Sequence, residues 1–217
     1  MTSLTKKILS TKLVWTLTGI TYATAVIATH GSYIRKKDYI NIGKDEMSLI
    51  SKYFNKEKVV LEFGCGPGKN LFGISDKIKD GYGIDVNNLY LRHARNLAEK
   101  YGFKNLQFLK YDSINFPINL PIFDVIFEKG VFERINKNLV SSYIGKLVSY
   151  LNSDGFIIIY FLMERAKGTK FTRKLGDSSY TYYNQNEISK MLSKHNLITK
   201  EILNIEYADF YVCQLIW

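Results

Sequence analysis

The chain has 217 residues, 46% of them hydrophobic and 14% aromatic, which excludes a disordered or fibrous polymer and leaves room for one α/β domain with some decoration. Its two cysteines, Cys65 and Cys213, fall in no metal-ligand spacing, so neither a disulfide framework nor a structural zinc site is expected, and a reducing, cytoplasmic setting fits. The net charge of +10 is uneven: residues 1–56 hold nine Lys/Arg against three Asp/Glu, and residues 163–183 hold five against two, a basic excess that suits an anionic partner or a solvated lysine-rich surface.

Residues 1–56 read as a helical N-terminal extension and residues 57–217 as the main domain. Leu13–Thr29 is uncharged and follows Lys6, Lys7 and Lys12. It is short for a membrane span and carries five threonines, so the expectation is a helix that covers the domain, with peripheral membrane contact through residues 13–29 as the alternative. His30-Gly31-Ser32 breaks the pattern, Tyr33–Gly43 reads as irregular, and Asp45 is placed to cap a short helix over Glu46–Phe54.

From Lys58 onward strands and helices alternate, the sign of a parallel sheet covered on both faces. Strands are expected at Val59–Phe63, Gly81–Val86, Leu106–Tyr111, Phe123–Phe127 and Phe156–Phe161, the last after a turn at Asp154-Gly155. Helices are expected from Lys69 to about Ile78, over Asn88–Tyr101 with Gly102 as the stop, over Lys137–Leu151 and over Gln185–His195. Two closing strands, Ile198–Ile205 and Phe210–Trp217, read as an antiparallel hairpin turning near Ala208-Asp209. Residues 163–183, after the fifth strand, are polar, basic and aromatic without period, a loop long enough to be functional.

The stretch Val59-Val60-Leu61-Glu62-Phe63-Gly64-Cys65-Gly66-Pro67-Gly68 carries the strongest signal. It reads as a buried strand, a tight glycine loop and a helix start, a cradle for a nucleotide-like ligand. A phosphate-binding P-loop fails at two positions, because Phe63 stands where the first glycine belongs and Asn70 where Ser/Thr belongs. A dinucleotide loop fails because Lys69 occupies the third glycine position, and Glu62 would repel a pyrophosphate.

Glu62-x-Gly64-x-Gly66-x-Gly68, followed by Asp85 at the end of the second strand, resembles the class I S-adenosylmethionine-dependent methyltransferase family. Tyr111-Asp112-Ser113 and the run Phe123 to Glu133 resemble its third and fourth strand ends. The resemblance covers residues 57 to the C-terminus. It implies a Rossmann-like doubly wound α/β sheet of seven strands in the order 3-2-1-4-5-7-6, the last strand antiparallel, here with a helical N-terminal extension. It implies S-adenosylmethionine as cofactor, S-adenosylhomocysteine as product and no metal. The positions it assigns to the cofactor are Glu62, Gly64, Cys65, Gly66, Gly68, Asp85, Val86, Asp112, Ser113 and Glu128. A carboxylate at Glu62 suits the ammonium and sulfonium of such a ligand, and Asp85 suits the ribose hydroxyls.

The methyl acceptor is less marked. Motifs of the family's DNA-base methylating members are absent after strand four, and Glu133-Arg134 stands where many small-molecule enzymes have Glu-His. Catalytic candidates are Tyr33, His30, Glu128 and Glu133. Arg165, Arg173, Tyr33 and Tyr183 are expected on the acceptor side, where positive charge with aromatics suits a small anionic molecule. RNA, a protein and a lipid are the alternative acceptors. His93 and His195 are expected to be solvated.

Overall fold

The computed structural model describes residues 20–30, 35–36, 38–112, 114–117, 119–169 and 180–216. Seven strands form one sheet: β1 (Val59–Phe63), β2 (Asp80–Asp85), β3 (Leu106–Lys110), β4 (Phe123–Glu128), β5 (Leu151–Leu162), β6 (Leu197–Asn204) and β7 (Ala208–Leu215). Their order is β3-β2-β1-β4-β5-β7-β6. The first five are parallel and β7 is antiparallel to β5 and β6, the order and sense expected from the sequence. The helices are α1 (Tyr22–His30), α2 (Tyr39–Met47), α3 (Lys69–Ile74), α4 (Asn88–Tyr101), α5 (Lys137–Val148) and α6 (Gln185–Ser193). Among the described residues no helix is long and apolar enough to cross a membrane.

Neighbouring residues of the central strands point to opposite faces, and both faces are covered, so the strands read as unbroken apolar runs. Val60, Val125, Phe127 and Ile158 pack with Leu71, Phe72, Leu91 and Ala94 of α3 and α4. Leu61, Ile126, Ile157 and Ile159 pack on the other face with Val140, Ile144 and Leu147 of α5 and Ile188 and Leu192 of α6. Tyr39, Met47, Ile50 and Phe54 of the N-terminal extension belong to the first of these cores.

Several boundaries differ from the sequence reading. The irregular stretch expected before Gly43 is helical from Tyr39, because Tyr39, Gly43 and Met47 recur every fourth residue on one buried face. Asp45 therefore lies inside α2 and caps nothing; a 3₁₀ stretch, Ser48–Tyr53, continues the chain. α5 stops at Val148, and Leu151 already pairs with Phe123 in the sheet. Asp154-Gly155 is not a turn but part of an irregularity within β5, whose register slips between the pairs Phe123–Leu151 and Val125–Phe156. Asp124 fills that irregularity. It accepts from the Val59 N–H (2.8 Å) and from Asn152 Nδ2 (3.2 Å), joining the starts of three strands. The hairpin turns earlier than expected, between Asn204 and Ala208, because Asp209 is buried inside β7.

Candidate functional site

The site lies at the C-terminal ends of β1, β2 and β4, the edge where open parallel sheets bind ligands. Gly64, Gly66 and Gly68 all have positive φ (73°, 52° and 89°), so the chain after β1 turns through conformations that glycine adopts freely. A Cβ on Gly64 would overlap the Val131 side chain, and one on Gly68 would meet the Phe108 ring at 2.9 Å. The outer glycines therefore make room for the protein's own side chains. Cys65 is buried and packs against Gly83 of β2.

Asp85 ends β2 and pins this loop. Its Oδ2 accepts from the Gly66 N–H (2.9 Å) and its Oδ1 from the Asn87 N–H (2.8 Å). Burial lifts its carboxyl to about 6, against the amides of Asn87, Gly66 and Val86. The helix cap is Asn87, whose Oδ1 accepts from the Leu89 and Tyr90 N–H groups. A carboxylate has about four lone-pair positions, so Asp85 retains capacity for further donors.

Glu62 is 2% exposed. Its Oε1 accepts from Asn70 Nδ2 (2.7 Å), while its Oε2 is buried without a partner among the described residues. Burial pushes its carboxyl up to about 8; Asn70, Lys129 and Lys69 oppose the rise, and Asp85 adds to it. Above this group Glu46 of α2 bridges Lys69, the first residue of α3, and Lys129, directly after β4. Burial disfavours the Glu46 carboxylate, but Lys129 and Lys69 outweigh it and hold the group at about 2. Lys69 is itself lowered to about 8 by burial, with Glu46 acting against the fall.

The turn after β4 holds two more buried acids. Glu128 Oε2 accepts from the Val131 and Phe132 N–H groups (3.1 and 3.3 Å), and its Oε1 from the Tyr160 N–H (3.0 Å). It ties β4 to its own turn and to β5, and burial raises it to about 8. Glu133 differs. Its Oε1 lies 3.3 Å from Arg134 Nε, and its Oε2 is buried without a partner among the described residues. Burial raises Glu133 to about 7, with Arg134 and Lys129 opposing. Tyr160 and Tyr180 stand near it: Glu133 and Tyr180 both help burial raise the Tyr160 phenol, and Arg134 stacks 4.1 Å from the centre of the Tyr180 ring.

Other expected positions have partners of their own. Asp112 accepts from the Ile114 and Asn115 N–H groups (2.8 and 2.6 Å), closing a turn after β3. Tyr183 is fully buried, its hydroxyl donating to the Phe132 carbonyl (3.1 Å) and its ring against Phe161. The Arg165 guanidinium donates to Ile205, Glu206 and Ala208 carbonyls and to the Asp209 carboxylate, which closes the β6–β7 turn. Tyr33, Ser113 and Arg173 and the His30 side chain lie outside the described residues. Neither remaining histidine is simply solvated: His93 meets the edge of Tyr22, and His195 Nε2 lies 2.9 Å from Ser141 Oγ. Among the described residues no group of His, Cys, Asp and Glu is placed to hold a metal ion.

Sequence reasoning missed Asn70, Lys69, Lys129 and Glu46. The first three carried a signal, since they adjoin the glycine loop and the fourth strand end. Glu46 carried none, because only the tertiary fold brings α2 to those lysines.

A family model described as a methyltransferase domain matches residues 54–205. The chain is 26% identical over 133 residues to EEF1A lysine methyltransferase 2 of Homo sapiens, which covers 54% of this chain and 55% of that relative. The Danio rerio counterpart is 25% identical over 132 residues, with the same coverage. The chain spans about half the length of the curated relatives it matches. Among solved structures, magnesium protoporphyrin IX methyltransferase from Synechocystis with bound S-adenosylmethionine superposes with a TM-score of 0.69 at 15% identity, covering 94% of this chain and 96% of that one. An S-adenosylmethionine-dependent methyltransferase from Clostridium acetobutylicum gives a TM-score of 0.63 at 16% identity, covering 84% and 92%. At these identities the structural likeness is one of fold.

Proposed function

The chain belongs to the methyltransferase-domain family, and from that premise we propose that it binds S-adenosylmethionine and directs methyl transfer to an amine, the side chain of a protein lysine. The observation that carries this reading is a pair of buried carboxylate oxygens without partners among the described residues, Glu62 Oε2 at the end of β1 and Glu133 Oε2 after β4. Buried carboxylate oxygens are costly unless a donor or a cation satisfies them, so two of them on one sheet edge mark places for positive groups.

Glu62 and Asp85 fit the cofactor. Glu62 Oε2 is open to an ammonium, and Asp85 has lone pairs left for hydroxyl donors at the end of the neighbouring strand. When bound, S-adenosylmethionine supplies an electrophilic methyl group. The protein's share is to orient the acceptor and exclude water. Glu133 suits an amine acceptor, because its open oxygen can take an N–H bond. Held near 7, Glu133 can also receive the proton that the amine gives up. The names of the human and zebrafish relatives support a protein lysine as acceptor. They give no support to a small anionic acceptor, and Arg165, expected to bind one, is engaged in the β6–β7 turn.

Calorimetric titration with S-adenosylmethionine tests the donor side, and absence of binding would sink the proposal. Incubation with isotope-labelled S-adenosylmethionine and purified EEF1A or lysine peptides, followed by mass-spectrometric mapping, tests the acceptor side. Label on lysine Nζ is expected, with the rate reduced about a hundredfold or more in Glu133→Gln. Label found only on oxygen acceptors would overturn the lysine reading.

A further inference from the structure

Glu46 stands outside every strand-end motif, yet its carboxylate takes both lysines of the site. The two lysines approach Glu62 from different elements. Lys69 opens α3 beside Asn70, whose amide already holds Glu62 Oε1. Lys129 follows β4, two residues beyond Phe127, the register partner of Glu62. Both lysines act electrostatically on Glu62, and Lys129 acts also on Glu133. Lys69 is 3% exposed. Two ammonium groups and three carboxylates are thus electrostatically coupled, with Lys69, Glu62 and Glu133 buried and Lys129 and Glu46 partly exposed. Glu46 bridges both cations, while Glu62 and Glu133 each keep an oxygen without a partner among the described residues.

We infer that Glu46 is a positioning residue that occupies Lys69 and Lys129, so that the open oxygens of Glu62 and Glu133 remain available to the cationic groups of cofactor and acceptor. The inference rests on the function proposed above. Its physical basis is that a buried ammonium deprived of its carboxylate turns to another acceptor within reach. Here the acceptors under the lysines' electrostatic influence are the two oxygens that the ligands need. Without Glu46 the site would neutralise itself, and a cationic ligand would have to displace a lysine.

Binding of S-adenosylhomocysteine, read by calorimetry, tests this without turnover. The wild type is measured first, and absence of binding there overturns the proposed function and this inference with it. If the wild type binds, Glu46→Gln is expected to weaken binding about tenfold or more, the loss of one contact to a charged group. The triple variant E46Q/K69M/K129M removes the competing cations together with their carboxylate, and is expected to return affinity to within about threefold of wild type. A residue that merely fastened α2 to the domain would leave the triple variant as weak as E46Q or weaker, and that result overturns the inference. Wild-type affinity in E46Q overturns it as well. If E46Q alone does not fold, the triple variant decides: near-wild-type affinity supports the inference, and weak binding or failure to fold overturns it.

Discussion

Asp85 serves two partners with one carboxylate. Sequence reasoning placed it at the end of a strand and asked it to receive the ribose of a cofactor; the structure adds that it holds Gly66, the middle of the glycine loop, and Asn87, the start of α4. Asp85→Ala should therefore weaken S-adenosylhomocysteine binding by about 2 kcal/mol or more, since the direct contacts and the loop geometry go together. Asp85→Asn keeps one oxygen for a backbone N–H and should fall between the two. Calorimetry that found Ala and wild type alike would remove Asp85 from the site. The acids at Glu62, Asp85 and Glu133 were legible because each stands where an apolar run breaks off. What the sequence could not distinguish is which carboxylates are spent. Glu128 and Glu133 look alike on paper, yet backbone amides engage both oxygens of Glu128 while Glu133 keeps one oxygen without a partner among the described residues.

The elements that form the sheet were readable because period-two and buried apolar runs survive in one sequence, whereas α2 was not. Its mixed polar and apolar composition hides a narrow buried stripe of Tyr39, Gly43 and Met47. The contact that fixes α2 is between glycines. A Cβ on Gly43 would run into the Lys69 carbonyl, and one on Gly73 would run into the backbone of Gly43 and Lys44. α2 and α3 thus approach backbone to backbone, and that closeness is what carries Glu46 to Lys69 and Lys129. Gly73→Ala should force the helices apart and lower stability by about 1–3 kcal/mol, the usual cost of overpacking. It should also weaken cofactor binding through the displaced Glu46. Urea unfolding combined with ligand titration would check both, and an unchanged midpoint would show that the two helices can separate freely. The irregularity in β5 was likewise invisible: Asp154-Gly155 has the composition of a turn, and only pairing with β4 shows that the strand resumes on the same line.

At the scale of the whole molecule, the acids clustered at one sheet edge set how stability answers to pH. Burial raises Glu62 and Glu128 to about 8, Glu133 to about 7 and Asp85 to about 6, whereas unfolding returns them to ordinary values near 4. Between those limits the folded state keeps protons that the unfolded chain has released, so stability falls as pH rises from about 4 to about 8. Glu46 acts oppositely: held at about 2, it stabilises above its ordinary value and loses that contribution as pH falls below about 4.5. Lys69, lowered to about 8, reverses the trend only at pH above that value. The ligand-free protein should therefore melt highest near pH 5 and progressively lower towards pH 8. Glu62→Gln cannot ionise, so it should melt higher than wild type at pH 8 and differ least at pH 5, while losing cofactor binding. A saturating cationic ligand should likewise raise the melting temperature most at high pH, where it finds Glu62 already ionised. Calorimetric scans across this range decide the matter, and a melting temperature that climbs steadily from pH 5 to pH 8 would mean that these carboxyls are not held protonated by the fold. The same burial that makes the empty site unstable at neutral pH makes its carboxylates strong partners for a cation, and Glu46 lets them stay so.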